Sequence, residues 1–313
     1  MTKKKTAKKK TTKKTPKTSF MDDSPWARLQ NEVQQSSECR QRLLKEIEAH
    51  FGCTVVSFFK AFNKSNSLIL DSDAEMLESI LAVEQEEQDR LLLIINSPGG
   101  DALAAERIVN VCRAYSGDQF EVLVPHMAKS AATMICFGAD QIHLTRTGEL
   151  GPVDPQVAYT DDNGNTLVIS AEEYVRSYDE LMAQASSGNN PRIEPFIQQL
   201  NRYDSRCIEQ LRSAQKLSAD ISVRLLESGM LKGKNADEIR QSIDVFLQQE
   251  KTSSHGRMIN HTGIAKCGLK VKLIPFRTPV WKLIWELFIR SDWYVTQRCN
   301  GIIESPRVSL VAK

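Results

Sequence analysis

Apolar positions along this chain change period several times, and each change marks an element. Residues 55–59 and 91–95 are short unbroken apolar runs, the pattern of strands buried on both faces of a parallel sheet. Residues 120–124 repeat the pattern, and 141–144 form a shorter version of it. Between the first two runs, Met76, Leu77, Ile80 and Leu81 recur at helical spacing, which predicts a helix over 71–83. After the second run, Ala104, Ile108, Val111 and Cys112 do the same, with Asp101 placed to cap the helix. Pro125 ends the third run, and the small residues of 128–133 open a further helix. Strand and helix alternate through the core, and such an order places sites at the carboxyl ends of parallel strands.

Beyond Gln156 the texture changes. Asp161-Asp162-Asn163-Gly164-Asn165 reads as a hairpin turn inside 157–169. Ser170, with Glu173 three positions on, has the form of a capping box and predicts a helix to about Ala185. Residues 186–191 are loop-like, and helical patterns follow over 193–217, 219–228 and 235–248. Residues 263–271 read as a short helix, a glycine stop and a strand. A last helix over 279–295 puts Trp281, Trp285 and Phe288 on one face. At the other end, Leu29, Val33, Leu43 and Ile47 are loosely helical in a polar background. The expected organisation is a tail over 1–20, a polar helical arm over 21–50, a core domain over 51–275 with a helical insert about 170–250, and an aromatic helix and tail over 276–313.

Charge sharpens one end of this picture. The chain of 313 residues has a net charge of only +2, yet residues 1–20 hold nine lysines and no acid, so the remainder carries −7. Such a segment cannot offset its ordering entropy by burial and is expected to be disordered. It suits contact with a polyanion, either nucleic acid or anionic lipid, or simply adds solubility. Seven scattered cysteines with no C-x-x-C pair suggest free thiols in a reducing cytoplasm and no metal site. No signal peptide and no membrane-length apolar stretch is visible, so a cytoplasmic location is expected. Trp281, Trp285 and Phe288 suggest core or subunit packing first, and peripheral membrane contact as the alternative.

Candidate chemistry sits in two loops of the core. Asn96-Ser97-Pro98-Gly99-Gly100 follows the second strand, where paired glycines can bring bare amides close to a ligand. Ser130 follows the third strand in Ala128-Lys129-Ser130-Ala131-Ala132-Thr133. A serine beside free amides is the arrangement of nucleophilic acyl transfer. SPGG lacks the G-x-G-x-x-G spacing of a dinucleotide site, and no cofactor is expected.

These segments, with Leu150-Gly151-Pro152-Val153-Asp154-Pro155-Gln156, occur in the order found in the serine dehydrogenase proteinases. That group belongs to the signal-peptide-peptidase-like serine peptidases of the ClpP/crotonase superfamily. The resemblance covers roughly residues 53–271. It implies an α/β fold built as a ClpP/crotonase-like spiral of β-β-α units, a homo-oligomer, and a peptide or protein substrate. It further implies Ser130 as nucleophile and the Gly99/Gly100 turn as oxyanion hole. The general base is the open point. ClpP-type relatives place a histidine where this chain has Asp154, and signal-peptide-peptidase-type relatives use a lysine, but none lies between Ser130 and Lys216. The remaining bases are His255, Lys216, His126 and Lys129; Asp154 could orient a base, and Lys129 could bind substrate. A serine-type peptidase is the expected function. The alternatives are a catalytically inactive scaffold and a crotonase-like acyl-thioester enzyme.

Overall fold

The computed structural model describes residues 25, 29, 37–64, 66–84, 90–117, 119–160, 164, 166–187, 192–248 and 257–312. The chain divides into residues 1–35, described only at the helical positions Pro25 and Leu29, and residues 36–313. The expected disorder of 1–20 therefore falls outside the described residues.

In chain order the elements are α1 (Ser37–Phe51), β1 (Thr54–Lys60), α2 (Asp71–Val83), β2 (Arg90–Asn96), α3 (Ala102–Tyr115), β3 (Gln119–Val124), β4 (Met127–Ala128), α4 (Ala131–Phe137), β5 (Gln141–Leu144) and β6 (Glu149–Leu150). There follow β7 (Gln156–Thr160), β8 (Thr166–Ser170), α5 (Ala171–Ser186), α6 (Glu194–Leu200), α7 (Ser205–Ser228), α8 (Ala236–Ser242) and α9 (Asp244–Leu247). The chain ends with α10 (His261–Lys266), β9 (Val271–Leu273), α11 (Pro279–Arg298), β10 (Gly301–Glu304) and β11 (Ser309–Ala312).

One seven-stranded sheet in the order β11-β10-β1-β2-β3-β5-β9 organises them. Strands β1, β2, β3, β5 and β9 are parallel, with Thr54 opposite Leu91, Leu91 opposite Phe120, and Leu144 opposite Leu273. Strands β10 and β11 are antiparallel additions beside β1. The unbroken apolar runs are explained by two-sided burial. Val56, Phe58, Leu91, Leu93, Ile95, Phe120, Val122 and Val124 join the core formed with α2, α3, α4 and α7. The alternate residues Val55, Leu92, Ile94 and Leu123 are equally buried, and α1 and α11 pack against β1 from their own layer.

Three elements depart from the sequence reading. The polar arm expected over 21–50 yields instead, from Ser37 onward, a packed helix that buries Arg40, Leu43, Leu44 and Ile47. Arg40 is buried because its guanidinium makes two 2.7 Å bonds to the Glu304 carboxylate and lies 4.2 Å from the Tyr294 ring centroid. The tail expected after α11 is a hairpin that extends the sheet; buried Glu304 disguised β10 as polar chain. Finally, α7 runs unbroken through 218, and the break falls earlier, where the Asp204 side chain accepts from Arg206 N at 2.8 Å. Ser218 and Ser222 misled the pattern because both are buried within α7, bonded to Val153 O and Ser218 O. All seven cysteines are free thiols.

Candidate active site

The site grows from the carboxyl end of β2. Asn96 is buried, and its Oδ1 accepts from Met127 N at 2.9 Å. Ser97 N donates to Met127 O and Lys129 N donates to Ser97 O, both at 3.0 Å, a parallel bridge that continues β2 onto β4. The chain then reaches Ser130, whose φ of 49° and ψ of −121° are unusual for a residue with a side chain. Such a conformation costs on the order of 1–3 kcal/mol and persists only where its surroundings enforce it. Three groups enforce it here. Ser130 N donates to Pro152 O at 3.2 Å. Thr133 Oγ1 lies 2.8 Å from Ala128 O and 2.9 Å from Gly151 O, and accepts from Gly151 N at 3.2 Å. Gly99 presses from the other side: a methyl group on it would lie 2.6 Å from Lys129 O and 2.7 Å from Ser130 Cβ.

Gly100 has a different neighbour. A methyl group there would lie 2.2 Å from Ile69 N, because Ile69 N donates to Gly99 O at 2.8 Å and its O accepts from Asp101 N at 2.9 Å. In a parallel ladder a residue between two such bonds turns its own N–H and C=O the opposite way. The Gly100 N–H therefore points away from Ile69. The Gly99 N–H donates to Ser97 Oγ at 3.1 Å. Of the two amides expected for an oxyanion, Gly99's is thus already engaged by a side chain. Neither the Gly100 nor the Ala131 N–H meets a protein acceptor among the described residues.

The segment bearing Ile69 is itself pinned. The Asp73 carboxylate accepts from Leu70 N at 2.8 Å and pairs with Lys60 Nζ at 2.7 Å, with both side chains buried. Pattern reading missed this strap because Ile69 acts through its backbone. The one available signal was Lys60, a lysine closing an otherwise apolar strand.

The other described candidates fall on separate segments. Lys129 pairs with Glu149, and its aliphatic stem lies against Gly151, so it is a clamp between β4 and β6. Asp154 is buried in the loop below, next to Val153, whose N donates to Phe246 O and whose O accepts from Ser218 Oγ. Lys216 lies on the exposed side of α7. His126 stacks on Phe288 with ring centroids 5.0 Å apart and planes 4° from parallel. Burial raises the Asp292 carboxyl above the ordinary carboxylate range, against the pull of nearby His126. His255 lies outside the described residues. Beyond it, Ile259 pairs with Leu150 through two 3.0 Å bonds, beside β4. Among the described residues, no side chain hydrogen bonds to Ser130 Oγ. A cavity of about 710 Å³ lies elsewhere, lined by Tyr174, Ser177, Leu181 and Tyr203 of the helical insert.

A mixed α/β sheet with a Gly-Gly turn set against a strained serine is consistent with a ClpP-like fold. Residues 27–173 match the family of ClpP-like SDH-type serine proteinases. Over 90 residues the chain is 37% identical to an uncharacterized protein of Methanocaldococcus jannaschii, covering 29% of this chain and 30% of that one. Over 126 residues it is 29% identical to a second uncharacterized protein of the same organism, covering 38% of this chain and 42% of the other. The matched stretches span less than half the length of either relative.

Proposed function

We infer that the protein is a serine-type peptidase in which Ser130 Oγ attacks a peptide carbonyl. The tetrahedral oxyanion takes hydrogen bonds from the Gly100 and Ala131 amides, and Gly99 acts by allowing Ser130 its close approach. The acyl-enzyme then forms as the leaving amine departs, and water hydrolyses it by the reverse sequence. The single observation that carries this reading is the strained Ser130 backbone held beside two amides that have no protein acceptor. A serine placed only for packing has no need of a positive φ.

The base is assigned to His255, with Asp154 to orient it. The Leu150–Ile259 bridge supports this choice, since it brings the chain four residues past His255 alongside the segment that holds Ser130. Lys216 is the second candidate, and its exposed position on α7 counts against it. Exposed Leu68 and Leu70 flank Ile69 beside the turn and favour apolar substrate side chains there.

Fluorophosphonate labelling of the wild type beside Ser130→Ala, His255→Ala and Lys216→Ala tests the reading. Labelling lost in Ser130→Ala and His255→Ala but kept in Lys216→Ala is the expected result. A second reading, an inactive scaffold, draws on the absence of a described partner for Ser130 Oγ. Wild type that stays unlabelled from mildly acidic to mildly basic pH would establish that scaffold instead.

A further inference from the structure

Strand β9 is an edge of the main sheet, and the chain around it is strongly one-signed. Residues 257–285 contain Arg257, Lys266, Lys270, Lys272, Arg277 and Lys282 and no aspartate or glutamate. Lys270, Lys272, Arg277 and Lys282 are exposed, as is Arg146 from the end of neighbouring β5, and none of these five pairs with a carboxylate among the described residues. Amid these cations stand apolar side chains that a soluble surface would ordinarily cover: Leu273 is 44% exposed and Phe276 is 47% exposed. The Arg277 and Arg146 guanidinium groups sit 5.1 Å and 6.0 Å from the Phe276 ring centroid, which holds charge and ring together. Arg277 keeps its place with a φ of 64°, outside the usual range for a side-chain-bearing residue.

From this surface a run of rings leads inward. Phe276 meets Trp281 at 4.8 Å, Trp281 stacks on Trp285 at 5.9 Å, and Trp285 meets Phe288 at 5.2 Å; Phe288 in turn stacks on His126. Phe288 is buried and Trp281 and Trp285 are half-buried, so the aromatic face of α11 mostly serves packing. The surface left open is the loop between β9 and α11. It lies at the carboxyl end of the parallel strands, the same end as Ser130.

We propose that this loop docks the protein on an anionic lipid bilayer, with Leu273, Phe276 and the edge of Trp281 at headgroup depth. Lys270, Lys272, Arg277, Lys282 and Arg146 face the lipid phosphates. Protruding apolar and aromatic tips ringed by cations match the two layers of such a surface, apolar below and anionic above. A second copy meeting this patch symmetrically would oppose like charges, and nucleic acid would gain nothing from Leu273. The nine lysines within residues 1–20 add a second basic element to the same chain. Docked this way, the protein turns the Ser130 end of its sheet toward the membrane. That last consequence rests on the peptidase reading; the docking does not.

Flotation of the full chain with vesicles tests it, using phosphatidylcholine alone and phosphatidylcholine mixed with phosphatidylglycerol. Binding to the mixed vesicles only, weakened by salt, is expected. Leu273→Ser with Phe276→Ser, and separately Arg277→Glu with Lys282→Glu, should each weaken it about tenfold or more, since each cation near the surface contributes about fivefold. These positions are exposed, and unchanged thermal melts would show that the variants fold. Deleting residues 2–20 should weaken binding without abolishing it. Wild type that does not float, or binding abolished by the deletion alone with the loop variants unaffected, overturns the proposal. So does a loop variant that keeps vesicle binding but loses duplex DNA, or one that breaks an oligomer in sedimentation.

Discussion

The Gly99–Asp101 turn has two neighbours, and they are held by different physics. On one side lies Ser130, positioned by neutral bonds from Asn96, Ser97 and Thr133. On the other lies Ile69, whose segment is tied to a buried charge pair, Lys60 with Asp73. Neutral bonds to backbone fix geometry at lower risk, because stranding a neutral partner costs about 1–3 kcal/mol. A buried ion pair is different: it adds little net stability when intact, and removing one member strands the other charge. The serine side is thus tuned for placement, while the Ile69 side behaves as a latch that holds or fails as a whole.

Substitutions can break this contrast. The largest effect is expected on the serine side from Gly99→Ala, whose methyl would overlap Lys129 O and Ser130 Cβ. A displacement of about 1 Å at a nucleophile costs about a hundredfold, so fluorophosphonate labelling should slow by at least that much. The melting curve should move less than for any change in the latch. Asp73→Leu should destabilise the fold by about 3–5 kcal/mol by leaving Lys60 buried and unpaired. Lys60→Met added to it should return most of that loss in a denaturant titration. If the double variant is no more stable than Asp73→Leu, the pair is not the latch described. Next in size, Thr133→Val removes a hydroxyl that joins Ala128 O to Gly151 O and should cost about 1–3 kcal/mol. Labelling should slow in the same variant, linking stability to placement on the serine side.

The smallest expected effect lies away from both sides, at Glu121, and is a matter of pH. The His143 bond at 2.8 Å, aided by Arg90, holds the Glu121 carboxyl below the ordinary carboxylate range against the opposing effect of burial. A carboxyl lowered in the folded state contributes stability above its unfolded pKa and loses it as pH falls through the folded value. Glu121→Gln should therefore flatten the acid limb of a melting-temperature profile and leave the rest of the profile nearly parallel to wild type. An unchanged acid limb would remove Glu121 from the account of acid stability.

The same contrast separates what could be read in the sequence from what could not. The helix over 71–83 matches α2, and the apolar runs matched β1, β2, β3 and β5, because two-sided burial leaves an unmistakable pattern. Ser130, Gly99 and Gly100 stood out as candidates for a related reason: a double glycine and a serine among alanines are chemical exceptions in their surroundings. The different neighbours of the two glycines could not be read there. Which amide faces a ligand depends on the partner of each neighbouring carbonyl, and Ile69 makes that partnership through backbone alone. Strands β10 and β11 were illegible because four-residue strands carry little periodicity, and Glu304 is polar in a place where its bonds to Arg40 and Ser309 permit burial.

That bond has a consequence for how the molecule comes into being. Arg40 and Glu304 are separated by 264 positions, and Ser57 of β1 pairs directly with Glu304. While the chain is being synthesised, β1 can align with β2 early, but its other flank stays bare until β10 arrives. Open strand edges recruit other strands, so a ribosome carrying this chain displays a sticky margin for most of translation. The emergence of β10, not that of the Ser130 region, is the event that closes it. A chain cut short before Gly301 would keep Ser130 and its cradle in sequence and still tend to aggregate.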